Sequence, residues 1–547
     1  MKTIRPVLLS AVLLLLTAAI SNGQTNVYPY DDDESFVGSC TSIMVGKKAS
    51  SDGSVMTAHA CDSYYRTYVT IEPRRKFTAG ELESVYFNAL HKEEPWDPRR
   101  VKETGRIVPP KQETYRFVNT AYPCMNEKQL AIGETTFDGR RELLNRDGIF
   151  WIEELERIAL EYCDNARDAI RLMGSLAEEY GYADWGESLT VADKNEVWLF
   201  EINGPGKGKP GAIWAAQRIP DDHVGVSANI SRIGAIDFND PDNFMYCKDL
   251  KKKAKELGYW DGRGPLKFWK VVGGDKPFGV REYFIIKTLC PSLNISMDDE
   301  ELPFSVKPEK PVTPEQMFAF YRETYEGTEF DMGQNLRVKV HRKIKNLDSK
   351  PYPEAEYDEY DEVVTPISNF MSADLRQLLN QIAPGVVKQR RTIAVIQCSY
   401  SWIAQCRDWL PDEVGGVCWF AYDNAAQSPR FPIYAGATAL PEAMYHCGQN
   451  RYREDAAVWA FRETNRIATI YWDKTRKLLE PAQASLEKMM LEQDKALQTE
   501  VKKMMDEGES DKVAERLNSQ VGDFFAMVAG KWKELKGRVL EIFVRSM

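Results

Sequence analysis

The chain has 547 residues, of which 43% are hydrophobic and 28% charged, and its formal net charge is -11. That length permits a large buried core and sets a prior of two to four domains. The acidic balance excludes a nucleic-acid binder, since holding a polyphosphate depends on basic surface; an acidic surface serves solubility instead.

Residues 1–23 read as a secretory signal. Lys2 and Arg5 form the basic start, Val7 to Ile20 the apolar run, and Ser21-Asn22-Gly23 the small residues for cleavage. A run of fourteen residues is too short to span a bilayer comfortably. It is therefore expected to be cut off rather than kept as an anchor, and no later run is long enough to cross. Val37-Gly38-Ser39-Cys40 faintly resembles a lipobox but lies far from the apolar run. The expected location is periplasmic or secreted, without stable membrane association once the signal is gone. Residues 24–39 include Asp31-Asp32-Asp33-Glu34. They are either a plain polar terminus or an acidic propeptide.

Gly38-Ser39-Cys40-Thr41-Ser42-Ile43-Met44-Val45-Gly46 follows, with one cysteine where a mature chain could begin. If Cys40 becomes the first residue, its thiol is a nucleophile and its freed α-amine an adjacent base, the pairing that activates a weak nucleophile. An α-amine titrates at about 7.7–8.0, so a useful neutral fraction exists near pH 7, unlike a lysine at about 10.4. Residues 40–46 and 54–61 are expected to be strands joined by a turn ending in Asp52-Gly53, a strong hairpin signal. His59-Ala60-Cys61-Asp62-Ser63 closes the second strand. Cys40 with His59 could also form a papain-like pair, but the local papain signature is missing.

Residues 64–110 read as strand plus loop. Asn119 to Thr136 contains Met125-Asn126-Glu127-Lys128, and Asn126 there reads as a turn residue. Ile152, Leu155, Ile158, Ala159, Tyr162, Ala166, Ala169, Ile170 and Met173 recur at helix spacing, so 149–180 is expected to be helical. Residues 188–193 and 196–202 read as a strand pair, 223–230 as a strand ending at Asn229, and 240–260 as polar helix. Arg281 precedes Ile285 to Cys290 and reads as an exposed ion-pair partner. Thr313, Pro314 and Gln316 give a clear helix start. Asn346–Glu362 reads as a mobile acidic loop. Residues 400–420 and 432–436 suggest closely packed strands. From Asp455 the chain is expected to be helical. Val513, Leu517, Val521, Phe524, Val528, Trp532, Leu535, Val539 and Ile542 form an apolar stripe for packing on the domain or on a second subunit.

The ten cysteines show no zinc spacing and the five histidines are scattered, so neither metal nor cofactor is expected. With Cys40 set aside at least one cysteine must stay unpaired, and most are expected to be small buried hydrophobes.

Cys40 to Ser50 followed by Asp52-Gly53-Ser54, the 119–136 stretch, Tyr325 to Asp331, and Trp409 to Phe420 with Pro432 to Gly436 together resemble the dipeptidase A family of cysteine peptidases. Those are N-terminal-nucleophile hydrolases, and the resemblance runs in patches over roughly 40–475. It implies an α+β fold, a four-layer αββα sandwich with a C-terminal helical extension. The implied division is signal 1–23, propeptide 24–39, hydrolase domain 40–454 and helical extension 455–547. The implied activity is hydrolysis of small peptides, chiefly dipeptides, with Cys40 as nucleophile. Asp62 would orient the amine, unless it is a turn residue. Asn126 would serve the oxyanion hole, and Asn229 would anchor the substrate or the amine. Arg281 would hold a substrate carboxylate or the nucleophile's surroundings. The family commonly has Arg where His59 stands; His59 would supply partial positive charge, or that role has moved elsewhere. Two alternatives stay open: an N-acyl amide hydrolase of the bile-salt or penicillin V type, and a non-catalytic exported binding protein.

Overall fold

Strands Ser39–Val45 and Val55–Asp62 are buried at every position. This is why they read as continuous apolar-and-small runs rather than as alternating ones: each is covered on both faces. They pair antiparallel with Cys40 opposite Cys61 and Ser42 opposite His59. The turn between them is fixed by Asp52, whose Oδ1 accepts from the Ser54 N–H at 3.0 Å, and by Gly53 at φ 85°, a left-handed backbone that glycine adopts without penalty. The computed structural model describes residues 39–87, 101–274, 276–341, 344–345, 356–357, 361–364 and 368–546. The expected signal, the leader up to residue 38, and most of the acidic loop Asn346–Glu362 lie outside the described residues.

Two large antiparallel sheets carry the fold. The seven-stranded sheet runs Ser305–Val306, Val224–Ser227, Ser39–Val45, Val55–Asp62, Tyr400–Cys406, Val417–Tyr422 and Phe431–Tyr434. The eight-stranded sheet runs Phe244–Tyr246, Ile213–Ile219, Val197–Asn203, Gly186–Ala192, Ala131–Asp138, Met125–Asn126, Phe117–Asn119 and Thr70–Glu72. Hydroxyls join the two: Thr57 Oγ1 donates to Thr190 Oγ1 at 2.6 Å, and Thr135 and Ser227 share a 3.0 Å bond. Gly133 lets them approach closely. A Cβ there would lie 2.9 Å from Thr190 Oγ1, and 3.2 Å from both His59 Cβ and the Trp402 ring.

Helices pack against the sheets. Ile152–Tyr162 and Ala166–Tyr180 lie against each other and against the eight-stranded sheet. The single helix expected over 149–180 is two, because Asn165 accepts from the Asp168 N–H at 2.9 Å and starts a new helix. Ala457–Ile470, Trp472–Asp506 and Ser510–Ser546 pack against the seven-stranded sheet. Phe525 meets Phe431 at 5.6 Å and Phe461 stacks on Tyr422 at 6.0 Å. The terminal stripe from Val513 to Val539 is buried in this chain's own core, with Trp532 Nε1 donating to Asn465 Oδ1 at 3.0 Å. Of the expected helix over 240–260 only Leu250–Glu256 forms, preceded by the strand Phe244–Tyr246. Among the described residues no helix is long and apolar enough to cross a membrane.

Because Gly133 sits where the sheets touch, Gly133→Ala should cost about 1–3 kcal/mol of stability, the usual range for overpacking. Urea unfolding monitored by tryptophan fluorescence measures it.

Candidate active site

The hairpin register sets the site. Residues at paired positions share a face, as do residues two apart on one strand, so Cys40, Ser42, His59 and Cys61 converge. They meet the strand Ala131–Asp138 at Glu134. Cys40 Sγ lies 3.3 Å from Glu134 Oε2. Ser42 Oγ donates to the Glu134 carbonyl at 3.3 Å, and His59 Nδ1 bonds the same oxygen at 2.7 Å.

The nitrogen of Cys40 is held as firmly as its sulfur. Its N–H donates to Asn229 Oδ1 at 2.9 Å. Asn229 follows the strand Val224–Ser227 at φ 61°, a left-handed backbone that asparagine tolerates better than most residues. Its Nδ2 donates to the Thr136 carbonyl at 2.6 Å. Arg281, on the helix Val280–Leu289, gives Nη1 to the Cys40 carbonyl at 2.5 Å and to Thr41 Oγ1 at 3.0 Å. It gives Nη2 to the Ala228 carbonyl at 2.9 Å and to Asn229 Oδ1 at 2.8 Å. These four bonds all go to the nucleophile's surroundings rather than to a pocket. Burial, with the nearby charge of Arg391, pushes Arg281 down to about 10.

Asp62 ends the second strand opposite Ser39. Its Oδ2 takes Arg391 Nη2 at 2.6 Å, while Oδ1 is buried with no hydrogen-bond partner among the described residues. Arg391 Nε also donates to Ser39 Oγ at 2.9 Å. Positive charge near the nucleophile thus comes from the guanidinium groups of Arg281 and Arg391. His59 does not supply it: burial pushes its imidazole down to about 4, so the ring is neutral at pH 7. The Glu134 carbonyl can only accept, so Nδ1 carries the proton and the buried Nε2 is left without a partner. That tautomer corrects the expectation of a partial positive charge at His59. A papain-like pairing is weakened by the same low basicity.

Asn126 is not brought to Cys40. Its Nδ2 donates to the Leu160 and Cys163 carbonyls at 2.7 and 2.8 Å, and its Oδ1 accepts from the Lys128 and Leu130 N–H groups at 2.9 and 3.0 Å. Both amide hydrogens are taken, which leaves none for an oxyanion. The structure corrects the expected role to a clasp between a turn and a helix end.

The thiol itself is not poised as a thiolate. Burial, and then the negative charge of Glu134, push it well above its ordinary range, while the Asp62 backbone N–H pulls the other way. Cys40 and Ser39 are both buried, and as neighbours on one strand their side chains point to opposite faces of the sheet. A cavity of about 590 Å³ has Phe117, Ala121, Pro123 and Glu153 in its wall. Ala121 and Pro123 flank Tyr122, whose ring is 5.6 Å from His59. All ten cysteines are buried and unpaired. Cys40, His59 and Glu134 have donor atoms within 4.8 Å of one another and are the set here that could converge on a metal ion.

Sequence reading missed Glu134 and Arg391. A glutamate inside Leu130 to Thr136, a run otherwise of apolar and small residues, was a signal for Glu134. Arg391 had none, since its partner Asp62 is 329 residues away.

The matching family model is peptidase family C69, over residues 39–485. A probable dipeptidase of Latilactobacillus sakei is 26% identical over 427 residues, covering 74% of this chain and 75% of the relative. Dipeptidase A of Lactobacillus helveticus is 24% identical over 418 residues, covering 74% and 77%. Probable dipeptidase B of Lactococcus lactis is 24% identical over 465 residues, covering 80% and 82%.

The neutral His59 has a stability signature. Its folded pKa is below the ordinary value of about 6.5, so the unfolded chain binds a proton that the native site refuses. Its contribution is therefore complete above pH 6.5 and is lost as pH falls toward 4, by about 3 kcal/mol in all. The difference in unfolding free energy between wild type and His59→Gln, followed from pH 7 to pH 4, should shrink by that order.

Proposed function

This chain belongs to peptidase family C69, and from that premise we propose that it is a cysteine-type dipeptidase whose nucleophile becomes the N-terminal residue, Cys40, of the mature protein. The observation that carries the reading is the double grip on one residue: Asn229 Oδ1 on the nitrogen and the buried acid pocket on the sulfur. An ordinary cysteine nucleophile needs only its sulfur positioned. Here the nitrogen has its own acceptor, which is what a base at that atom requires.

The thiol is pushed up by burial, so it needs a base at hand rather than a low pKa. Removal of the chain ahead of residue 40 supplies one. It also takes away Ser39, which is buried and bonds Arg391. The free α-amine, steered by Asn229 Oδ1 and by the unpartnered Asp62 Oδ1, takes the Sγ proton. Sulfur adds to the carbonyl carbon of the substrate's first residue. The amine then passes its proton to the departing amino group of the second residue, and water resolves the thioester by the same route. The oxyanion needs donors other than Asn126. Asn229 Nδ2 carries a second hydrogen beyond the one given to Thr136, and backbone N–H groups can add to it.

The two facing antiparallel sheets with helices packed against them support the four-layer αββα arrangement of N-terminal-nucleophile hydrolases. The basic start and apolar run of residues 1–23 support export, followed by loss of residues 24–39.

Intact mass of purified active protein should begin at Cys40, and Cys40→Ala should abolish turnover of a dipeptide panel. If the leader cuts itself off, that variant also keeps residue 39. Fully active protein that retains residue 39 would defeat the reading. Asn229→Ala should lower kcat/KM by about 10²-fold or more, the usual scale for loss of a preorganised polar contact at the reacting centre.

A further inference from the structure

Beside the nucleophile is a group of buried carboxyls that the hydrolytic steps above leave without a task. Glu134 Oε2 is 3.3 Å from Cys40 Sγ, and its Oε1 accepts from Thr136 Oγ1 at 2.9 Å. Glu187 is hydrogen-bonded to Glu134. Glu156, on the helix Ile152–Tyr162, faces the same charge. Glu134 and Glu156 are 0% exposed and Glu187 is 3% exposed. Both carboxyl oxygens of Glu156 and the Oε2 of Glu187 have no hydrogen-bond partner among the described residues. Among the described residues no lysine or arginine is ion-paired with any of the three. Burying a carboxyl without partners costs free energy, and a fold does not need three of them together for packing. Such a group is built for a cation that arrives from outside.

We propose that Glu134, backed by Glu187 and Glu156, receives the free α-ammonium of the substrate's first residue. This rests on the dipeptidase reading and adds to it the group that demands an unblocked amino terminus.

The spacing fits that occupant. N–Cα and Cα–C bonds of about 1.46 and 1.52 Å put an α-nitrogen about 2.5 Å from the carbonyl carbon that sulfur attacks. In a near-attack complex that carbon is about 3–3.5 Å from the sulfur. An ammonium held at about 2.8 Å by a carboxylate that is itself 3.3 Å from Sγ satisfies both distances. A residue ahead of that nitrogen would replace the ammonium with a neutral amide and drive its chain into the carboxyl group. The pocket thus counts residues: one before the cut. Burial pushes Glu134 and Glu187 above the ordinary carboxylic range, and an ammonium arriving beside them favours their charged form. A neighbouring Asp or Glu that merely tuned the thiol would not need the second and third carboxyls.

The test uses mature protein and two substrates that differ only in the amine, alanyl-alanine and propionyl-alanine. Wild type should favour alanyl-alanine in kcat/KM by about 10⁴-fold or more, the scale on which a site built for a polar group rejects an analogue lacking it. Glu134→Gln should collapse that preference to within about tenfold, and Glu187→Gln should reduce it. Should the variants not fold, wild type still decides. Alaninamide should slow alkylation of Cys40 by iodoacetamide, and propionamide at equal concentration should not. Equal losses on both substrates in Glu134→Gln would put Glu134 on the thiol or on the protein's own amine and overturn the proposal. Equal turnover of the two by wild type would also overturn it. If correctly processed wild type cleaves neither, the dipeptidase reading fails first and this proposal with it.

Discussion

Everything at this site hangs on the bond from the Cys40 nitrogen to Asn229 Oδ1. It ties residues 189 positions apart, and it exists because the strands Ser39–Val45 and Val224–Ser227 are neighbours in one sheet. Asn229 holds its oxygen there only by keeping a left-handed backbone at φ 61°. Such a conformation costs on the order of 1 kcal/mol or more for a non-glycine residue and persists when its surroundings over-determine it. Arg281 does so, bonding the Asn229 side chain and the carbonyl before it while holding the Cys40 carbonyl. The Thr136 carbonyl fixes the other end of the amide. Both sheets and a helix therefore meet on one backbone nitrogen, a large investment in an atom that is usually chemically silent.

The electrostatics explain why that nitrogen matters. The sulfur sits among groups that oppose its ionisation: buried walls, Glu134, Cys61 and Asp62. The two cationic side chains near it are committed elsewhere. Arg281 serves backbone carbonyls, and Arg391 serves Asp62. His59 is too weakly basic when buried. With no preformed thiolate and no competent imidazole, the base in the proposed mechanism is the α-amine that loss of the leader would free at residue 40, in reach of the thiol by covalent geometry alone. The same acid surroundings that make the thiol reluctant are where we propose the substrate's ammonium to sit, so that one environment would shape both nucleophile and specificity.

How much of this could be read from residues alone depends on sequence distance. The hairpin was legible because Asp52-Gly53 and the flanking runs are local, and Cys40 stood out for the same reason. Asn126 was misread: Met125-Asn126-Glu127-Lys128 is a real signal, but its cause is the clasp to Leu160 and Cys163 rather than chemistry. The break at Asn165 was hidden because apolar spacing continues across it, and an N-cap needs only one side chain to override periodicity. The helix Val280–Leu289 begins at Gly279, whose N–H bonds Glu282 Oε2 at 2.9 Å, a start signal easily taken for a loop. That His59 would be neutral, and that Arg281 and Arg391 would supply the positive charge, required knowing what surrounds them in three dimensions.

The central claim concerns one amine, and capping it is the most direct trial. Mature protein treated with cyanate near pH 7 is modified first at α-amines, which titrate about two units below lysine; excess dithiothreitol then restores any modified sulfur. Activity should fall in step with the fraction of residue 40 that carries a carbamoyl group on nitrogen, measured by peptide mass spectrometry. Full activity in protein whose Cys40 nitrogen is completely capped would contradict the account.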